Sequence, residues 1–388
     1  MRNTAAALFA FAAMMGVAQA APSACEVLQS AVTQSPPGPV FLPSFPREKD
    51  GPLYNTAFLY DNAVATIALV GCGDEKDAAR IGDAMLVALD HDRYWHDGRL
   101  RNGYAAGHAG NPVKLAGWWD RKQNRWVEDR YQVGSDSGNM AWAMLALLAL
   151  KEAKYRSGAI RIAHWVDTQF DARAPQGFTG GTFGDQPKPE LNRWKSTEHN
   201  TDLAAAFTQL AGVTKDTHWR DRAKTASAFV AAMWNEKCGC FDAGMAEDSK
   251  ARNTTLALDA QIWPLLALPQ AKPHAAALME TLRRRFGSGG GMAYSAQKDG
   301  IWTEGTLQAA LLMKLLGKSA QANALMAAAE KNRAPDGWYR ASDRKTSTGF
   351  DLQTDLKQHR AYFPIPALAP LAWAALAEKN FNPFAASP

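Results

Sequence analysis

The feature that most constrains this chain is a helical hairpin that recurs along it. Residues 61–70 are apolar on all sides and 75–90 are amphipathic, with Gly71-Cys72-Gly73-Asp74 between them. The same pair returns as 139–153 and 160–170 around Arg156-Ser157-Gly158, and as 200–210 and 219–234 around Gly212-Val213-Thr214-Lys215. It returns again as 256–268 and 274–286 between Pro269 and Pro273, and as 306–316 and 320–331 around Gly317-Lys318-Ser319. Glycine and proline fall where helices must stop. A last helix, 365–378, has no partner after it, and 25–32 at the other end of the chain can supply one. Five hairpins and one closed by the two termini predict an all-α fold, an (α/α)6 toroid with inner and outer helices. An open helical solenoid is the alternative. The first helix of each pair is the more apolar, as an inner helix should be.

Turns within hairpins are short, whereas the connections between them are long: 36–60, 91–135, 172–198, 236–255, 287–303 and 332–363. In an antiparallel ring the long connections share one face with the N-termini of the inner helices. Long loops on a rigid scaffold are where function concentrates. Residues 113–120 and 125–133 read as a small β-hairpin on that face.

The first residues carry a different signal. Arg2 precedes an apolar stretch over 5–17, and Ala18-Gln19-Ala20 supplies a small-residue cleavage site. This reads as a signal peptide over 1–20, leaving 21–388 as one catalytic-type domain, exported to the periplasm or secreted. No other apolar run approaches the length of a membrane span, so no membrane association is expected after signal removal. Export permits disulfides. Cys25 and Cys72 are placed to bridge the N-terminal segment to the first hairpin. Cys238-Gly239-Cys240 is tight for ring closure but conceivable as a bridge, with free thiols as the alternative.

Polar groups open each inner helix. Tyr60-Asp61-Asn62 opens the first, Gly134-Ser135-Asp136-Ser137-Gly138-Asn139 the second, and Lys195-Ser196-Thr197-Glu198-His199-Asn200-Thr201-Asp202 the third. Asp259 lies early in the fourth, and Trp302-Thr303-Glu304-Gly305-Thr306-Leu307-Gln308 opens the fifth. Aspartate, serine and threonine at these places also read as helix caps. Glutamates beside histidine or tryptophan are poorer caps and better acids or bases. If the ring closes, these carboxylates converge.

Glycoside hydrolysis needs two carboxyls flanking the scissile bond, one to protonate the leaving oxygen and one to activate water or attack the anomeric carbon. Glu198, Glu304, Asp136 and Asp61 are the catalytic candidates, paired across the ring as Asp136 with Glu304 or Asp61 with Glu198. Of thirteen tryptophans, Trp142, Trp165, Trp219, Trp234, Trp263 and Trp373 lie within helices and read as core. Trp95, Trp118, Trp119, Trp126, Trp194, Trp302 and Trp338 lie in the long connections, where exposed rings stack on sugars. The substrate-binding candidates are His199, Asn200, Trp302, Trp118, Trp119, Trp194, Tyr60, Gln308 and Tyr362. Tyr339, Arg340, Lys357, Arg360 and Tyr362 place cations and phenols near the mouth, where they read as surface charge or as binders of a uronic acid.

Phosphate loops, the Gly-x-Ser-x-Gly elbow and the His-Glu-x-x-His stretch are missing from the sequence, which disfavours phosphoryl transfer, serine esterase and zinc protease chemistry. No metal or cofactor is called for. The formal net charge of +5 permits an acidic substrate without requiring one. Without a basic stripe, nucleic acid is not an expected partner. Oligomeric state is left open.

At Tyr60-Asp61-Asn62-Ala63, Ser196-Thr197-Glu198-His199-Asn200 and Trp302-Thr303-Glu304-Gly305-Thr306 the sequence resembles bacterial secreted six-hairpin glycosidase-like proteins. The likeness spans roughly residues 55–375 through short motifs and hairpin spacing. It implies a carbohydrate partner bound in a central cavity. Members of such families include inverting glycosidases, uronyl hydrolases, polysaccharide lyases and sugar epimerases. A carbohydrate-active enzyme, a glycoside hydrolase, is therefore the first expectation. A lyase or epimerase acting on a uronic acid through His199 or Tyr362 is the second. A non-catalytic glycan-binding protein of a polysaccharide export system is the third.

Overall fold

The computed structural model describes residues 21–353 and 355–385. The expected signal segment, 1–20, lies outside the described residues. The structure is rich in helix. After α1 (Ala24–Thr33) the hairpins run α2 (Leu59–Cys72) with α3 (Glu75–His91), α4 (Ser137–Ala149) with α5 (Ala153–Asp167), and α6 (Thr197–Thr214) with α7 (Thr217–Ala232). The fourth unit holds α8 (Asp259–Ala267) and a short α9 (Ala275–Thr281). Then come α10 (Thr303–Leu315) with α11 (Ser319–Glu330), and finally α12 (Leu368–Lys379).

Packing follows the sequence pattern. Helix α2 packs on α4, α4 on α6, α6 on α8, α8 on α10, α10 on α12, and α12 returns to α2. The inner helices thus touch in a closed cycle. Helices α3, α5, α7 and α11 each pack outside their own partner, and α1 packs on α12 and α2. The physical reason lies in composition. In α4, twelve of thirteen residues are buried, whereas α5 buries only one face. A helix apolar on all sides is stable only with neighbours on all sides.

The first described helix is tied to α2 and to α12. Cys25 of α1 is disulfide-bonded to Cys72 at the end of α2. The backbone N–H of Ala24 donates to the Glu378 carboxylate of α12. Cys238 and Cys240 form a second disulfide within one turn.

Three expectations need correction. The second hairpin turns at 150–152, and Arg156-Ser157-Gly158, expected as its turn, lies inside α5. Gly158 is there for close packing, since a Cβ would meet Leu86 at 2.5 Å. The fourth outer helix, expected over 274–286, is present but irregular: α9 (Ala275–Thr281) runs directly into a π turn over Leu282–Phe286. Prolines 269 and 273 fall in the 3-10 turn ahead of it, Pro269–His274, where a missing N–H costs little. The fold is also not purely helical, because short antiparallel strand pairs staple the long connections. One is the expected small hairpin, reduced to Trp118–Asp120 and Arg125–Val127. A larger one, Thr346–Leu352 with Asp355–Tyr362, stands where an irregular loop was expected.

Candidate active site

The N-terminal ends of the inner helices open into one cavity of about 1010 Å³. Every inner-helix residue that lines it comes from the start of its helix, none lying beyond the first two turns. They are Tyr60 and Asp61 of α2, Gly138, Asn139 and Trp142 of α4, Glu198, His199 and Asp202 of α6, Asp259, Ala260 and Trp263 of α8, Glu304 of α10, and Ala369 and Pro370 of α12. Five successive inner helices therefore bring a carboxylate to the same space. Only α12 brings none.

These acids are not caps. Asp136 is the N-cap residue of α4, yet its side chain makes no capping hydrogen bond. Ser196 caps α6 instead, its hydroxyl accepting from the His199 N–H. Burial of the carboxylates costs their hydration and favours the neutral form. Asp61 and Asp136 are each pushed up to about 7 by burial, against the Ser44 hydroxyl beside Asp61 and the Arg360 charge near Asp136. Glu304 is pushed up to about 8 by burial, although Tyr60 donates to it. Glu198 rises well above the ordinary carboxylate range through burial and then the charges of Asp259 and Glu304. Asp259 rises least, to about 6, because the Ala260 N–H and the Tyr294 hydroxyl favour its charged form.

Glu304 is held firmly. Tyr60 Oη donates to its Oε1, and Gln308 Nε2 donates to the same oxygen at 3.1 Å. Tyr60 Oη in turn accepts from Trp373 Nε1 at 2.9 Å. Both donors fall on Oε1, so Oε2 is the oxygen left for a proton.

One wall is aromatic. Tyr294 packs on Trp302 at 4.8 Å between centroids, and Tyr362 packs on Trp302 at 5.2 Å. Gly305 permits this wall, since a Cβ there would meet the Trp302 ring at 2.2 Å. Elsewhere on the cavity wall, Trp194 covers His199 at 5.3 Å. A Cβ on Gly138 would strike the His199 ring at 2.6 Å, so only glycine lets α4 approach. Burial and the Arg360 charge push His199 down to about 4, and its Nδ1 has no partner. The imidazole is neutral at ordinary pH.

Among the described residues, Lys195 and Arg360 are the cationic side chains that line the cavity. Lys195 is committed to the carbonyls of Arg173 and Pro175 and to Asp171. Arg360, on the 346–362 hairpin, stacks 5.1 Å from the Tyr131 ring and donates to Gln353 at 3.3 Å. Its charge reaches Asp136 and Glu198.

The structure thus brings together Asp61, Asp136, Glu198 and Glu304 with Tyr60, His199, Trp194, Trp302 and Tyr362. Other candidates stand elsewhere. Trp118 and Trp119 lie on their own small hairpin and do not line the cavity, Trp119 being 55% exposed. Asn200 is fully buried and holds the backbone of Phe178 in both directions, so its amide is committed to structure. Gln308 acts through Glu304 rather than on a ligand. Sequence reasoning gave no role to Asp202, Tyr294 or Phe350, and it placed Trp142 and Trp263 wholly in the core. Asp202 was findable, since it lies one turn after Glu198 on the same face of α6.

No protein-family model matches the sequence, and no curated protein matches it. Solved structures do share its fold. A glycosidase aligns with TM-score 0.61 and 12% identity over 93% of this chain and 96% of its own. A novel alpha-amylase from Clostridium perfringens aligns with TM-score 0.64 and 10% identity over 92% and 98%. A D-mannose isomerase aligns with TM-score 0.62 and 13% identity over 92% and 95%. The chain has a glycosidase-like fold.

Proposed function

We propose that this chain is an exported (α/α)6-toroid carbohydrate-active enzyme, a glycoside hydrolase with Glu304 as proton donor and Asp259 as base. The observation that carries this reading is the split between carboxyls in one cavity. Glu304, near 8, keeps its proton at neutral pH and has one oxygen fixed by Tyr60 and Gln308. Asp259, near 6, is largely ionised there. Paired carboxyls whose surroundings push them apart are what acid and base roles require.

In the step itself, Asp259 takes a proton from water as the water oxygen bonds to the anomeric carbon. The bond from that carbon to the glycosidic oxygen breaks, and the leaving oxygen takes the Glu304 proton. We assign Glu198, whose strongest charge neighbours are Asp259 and Glu304, to contact sugar hydroxyls. The aromatic wall of Tyr294, Trp302 and Tyr362 offers rings to the apolar sugar face.

The test is a reducing-end assay against a glycan panel, with Glu304→Gln, Asp259→Asn and Glu198→Gln in parallel. Release of reducing ends that falls at least a hundredfold in the first two variants supports the assignment. Unchanged turnover in either sinks that residue's role.

A second reading has its own observation. His199 is a neutral imidazole with a free Nδ1 in the same cavity, and a sugar isomerase shares the fold. A lyase or epimerase acting on a uronic acid would use His199 or Tyr362 as base. An unsaturated product absorbing in the ultraviolet would select the lyase, and an inverted stereocentre without unsaturation the epimerase, in either case lost in His199→Ala.

A further inference from the structure

Below the carboxylates the bore of the ring is closed. Trp142, Trp263 and Trp373 come from α4, α8 and α12, every second inner helix. Their rings meet at 5.3, 5.9 and 6.4 Å between centroids. Phe384, from the segment after α12, packs against Trp142 at 5.0 Å and Trp263 at 5.8 Å. That segment is pinned in place. The Phe384 carbonyl accepts from Gln209, and Asn382 donates to the Leu266 carbonyl. Trp142, Trp263, Trp373 and Phe384 are all buried. The cavity therefore opens on the loop side and ends blind on a floor of tryptophan.

That floor carries polar atoms without partners. Asp202 is 0% exposed and lines the cavity, and the one group that favours its charged form is the indole N–H of Trp142; no charged or hydroxyl partner meets its carboxyl oxygens. The indole nitrogen of Trp263 is unpartnered. A buried carboxyl with a single indole beside it is costly, since most of its hydration is lost and little replaces it. Such groups gather where a polar ligand completes them. A sugar ring has the required chemistry: hydroxyls that donate and accept around its edge, and an apolar face that suits indole.

We propose that the floor of this cavity is a subsite for one terminal sugar ring, whose hydroxyls pair with Asp202 and the indole N–H of Trp263. Glycans then enter end first, and cleavage removes units from a chain end. This rests on the glycan-processing reading above and deepens it. A chain running through the ring is blocked by the Trp142, Trp263, Trp373 and Phe384 layer. Asp202 becomes a specificity residue for the terminal unit.

The experiment has two arms on the full chain. In the first, D-glucose, D-mannose and D-galactose are titrated calorimetrically into wild type, Asp202→Ala and Asp202→Asn. The expected result is one-to-one binding of at least one sugar, weakened tenfold or more in Asp202→Ala and less in Asp202→Asn. Without sugar, Asp202→Asn should melt at or above the wild-type temperature, because it removes a buried acid that only the Trp142 indole offsets. Equal affinity in wild type and Asp202→Ala, or binding of none of the three sugars, overturns the subsite.

The second arm follows products from whichever panel polysaccharide is cleaved. A single small sugar released from the first minutes, with solution viscosity unchanged, supports entry by the end. A ladder of internal fragments with falling viscosity overturns it and leaves hydrolysis standing. Asp202-dependent sugar binding with no glycan cleaved keeps the subsite and removes hydrolysis.

Discussion

Tyr60 Oη donates a hydrogen bond to Glu304 Oε1 while accepting one from Trp373 Nε1, which joins α2, α10 and α12 through three side chains. The donor favours the charged form of Glu304, so its removal raises the Glu304 pKa further. Tyr60→Phe also leaves the buried Trp373 N–H without an acceptor. We expect kcat to fall about tenfold to a hundredfold through lost positioning of Glu304, with KM little changed. The limb of the pH–rate profile that reports Glu304 should move to higher pH. A kcat fall with an unmoved limb would mean that Tyr60 serves only the packing.

The carboxylates make stability depend on pH with a defined sign. Asp61, Asp136 and Glu304 have folded values of about 7, 7 and 8, raised above their ordinary ones. The folded state therefore holds more protons than the unfolded state, and stability falls as pH rises toward those values. His199, pushed down to about 4, acts oppositely, but only below its ordinary value of 6.5. Between pH 6.5 and 8.5 the acids alone decide. Glu198 and Asp202, raised well above the ordinary carboxylate range, act in the same direction, so stability should drop there by at least about 2 kcal/mol, seen as a falling melting temperature. Asp61→Asn should flatten the slope. A melting temperature that holds level or rises across this interval would contradict the buried, protonated cavity.

The helical pairing was legible because its causes are local. Residues such as Gly73, left-handed at the end of α2, mark stops, and the all-round apolar face of α4 marks an inner helix. The carboxylates were legible through their place at helix starts. Their convergence was expected only on condition that the ring closes, which depends on α12 meeting α2, a contact between distant parts of the chain. The 346–362 hairpin was missed for a related reason. Its Thr346–Leu352 strand has β-forming residues, but it stabilises only by pairing with Asp355–Tyr362, and the long connection around it suggested an irregular loop. Trp142 and Trp263 read as core because helical tryptophans usually are. Only the cavity above them shows that their buried rings also form a surface.

Arg360 sits on that hairpin and lowers the pKa values of Asp136, Glu198 and His199 by its charge. Arg360→Gln removes the charge and lets all three rise. The expected result is a displacement of the pH–rate profile to higher pH, by about one unit or less. The hairpin keeps its strand pairing, so stability should change by less than about 1 kcal/mol. A profile that stays in place would show that Arg360 does not set the charge of the cavity.

The two disulfides should differ sharply in what they contribute. Cys25–Cys72 spans 47 residues and fastens α1 to the end of α2, whereas Cys238–Cys240 spans two. A cross-link stabilises mainly by restricting the unfolded chain, and the restriction grows with the loop it closes. In the chain-entropy limit the first is worth about 4 kcal/mol and the second less than about 2. Cys25→Ser with Cys72→Ser should therefore lower the denaturation midpoint clearly, and Cys238→Ser with Cys240→Ser should lower it much less. Neither bond touches the cavity, so sugar binding at temperatures where both variants are folded should match wild type. Equal losses from the two pairs would show that native contacts around Cys238 and Cys240, rather than loop closure, dominate their effect.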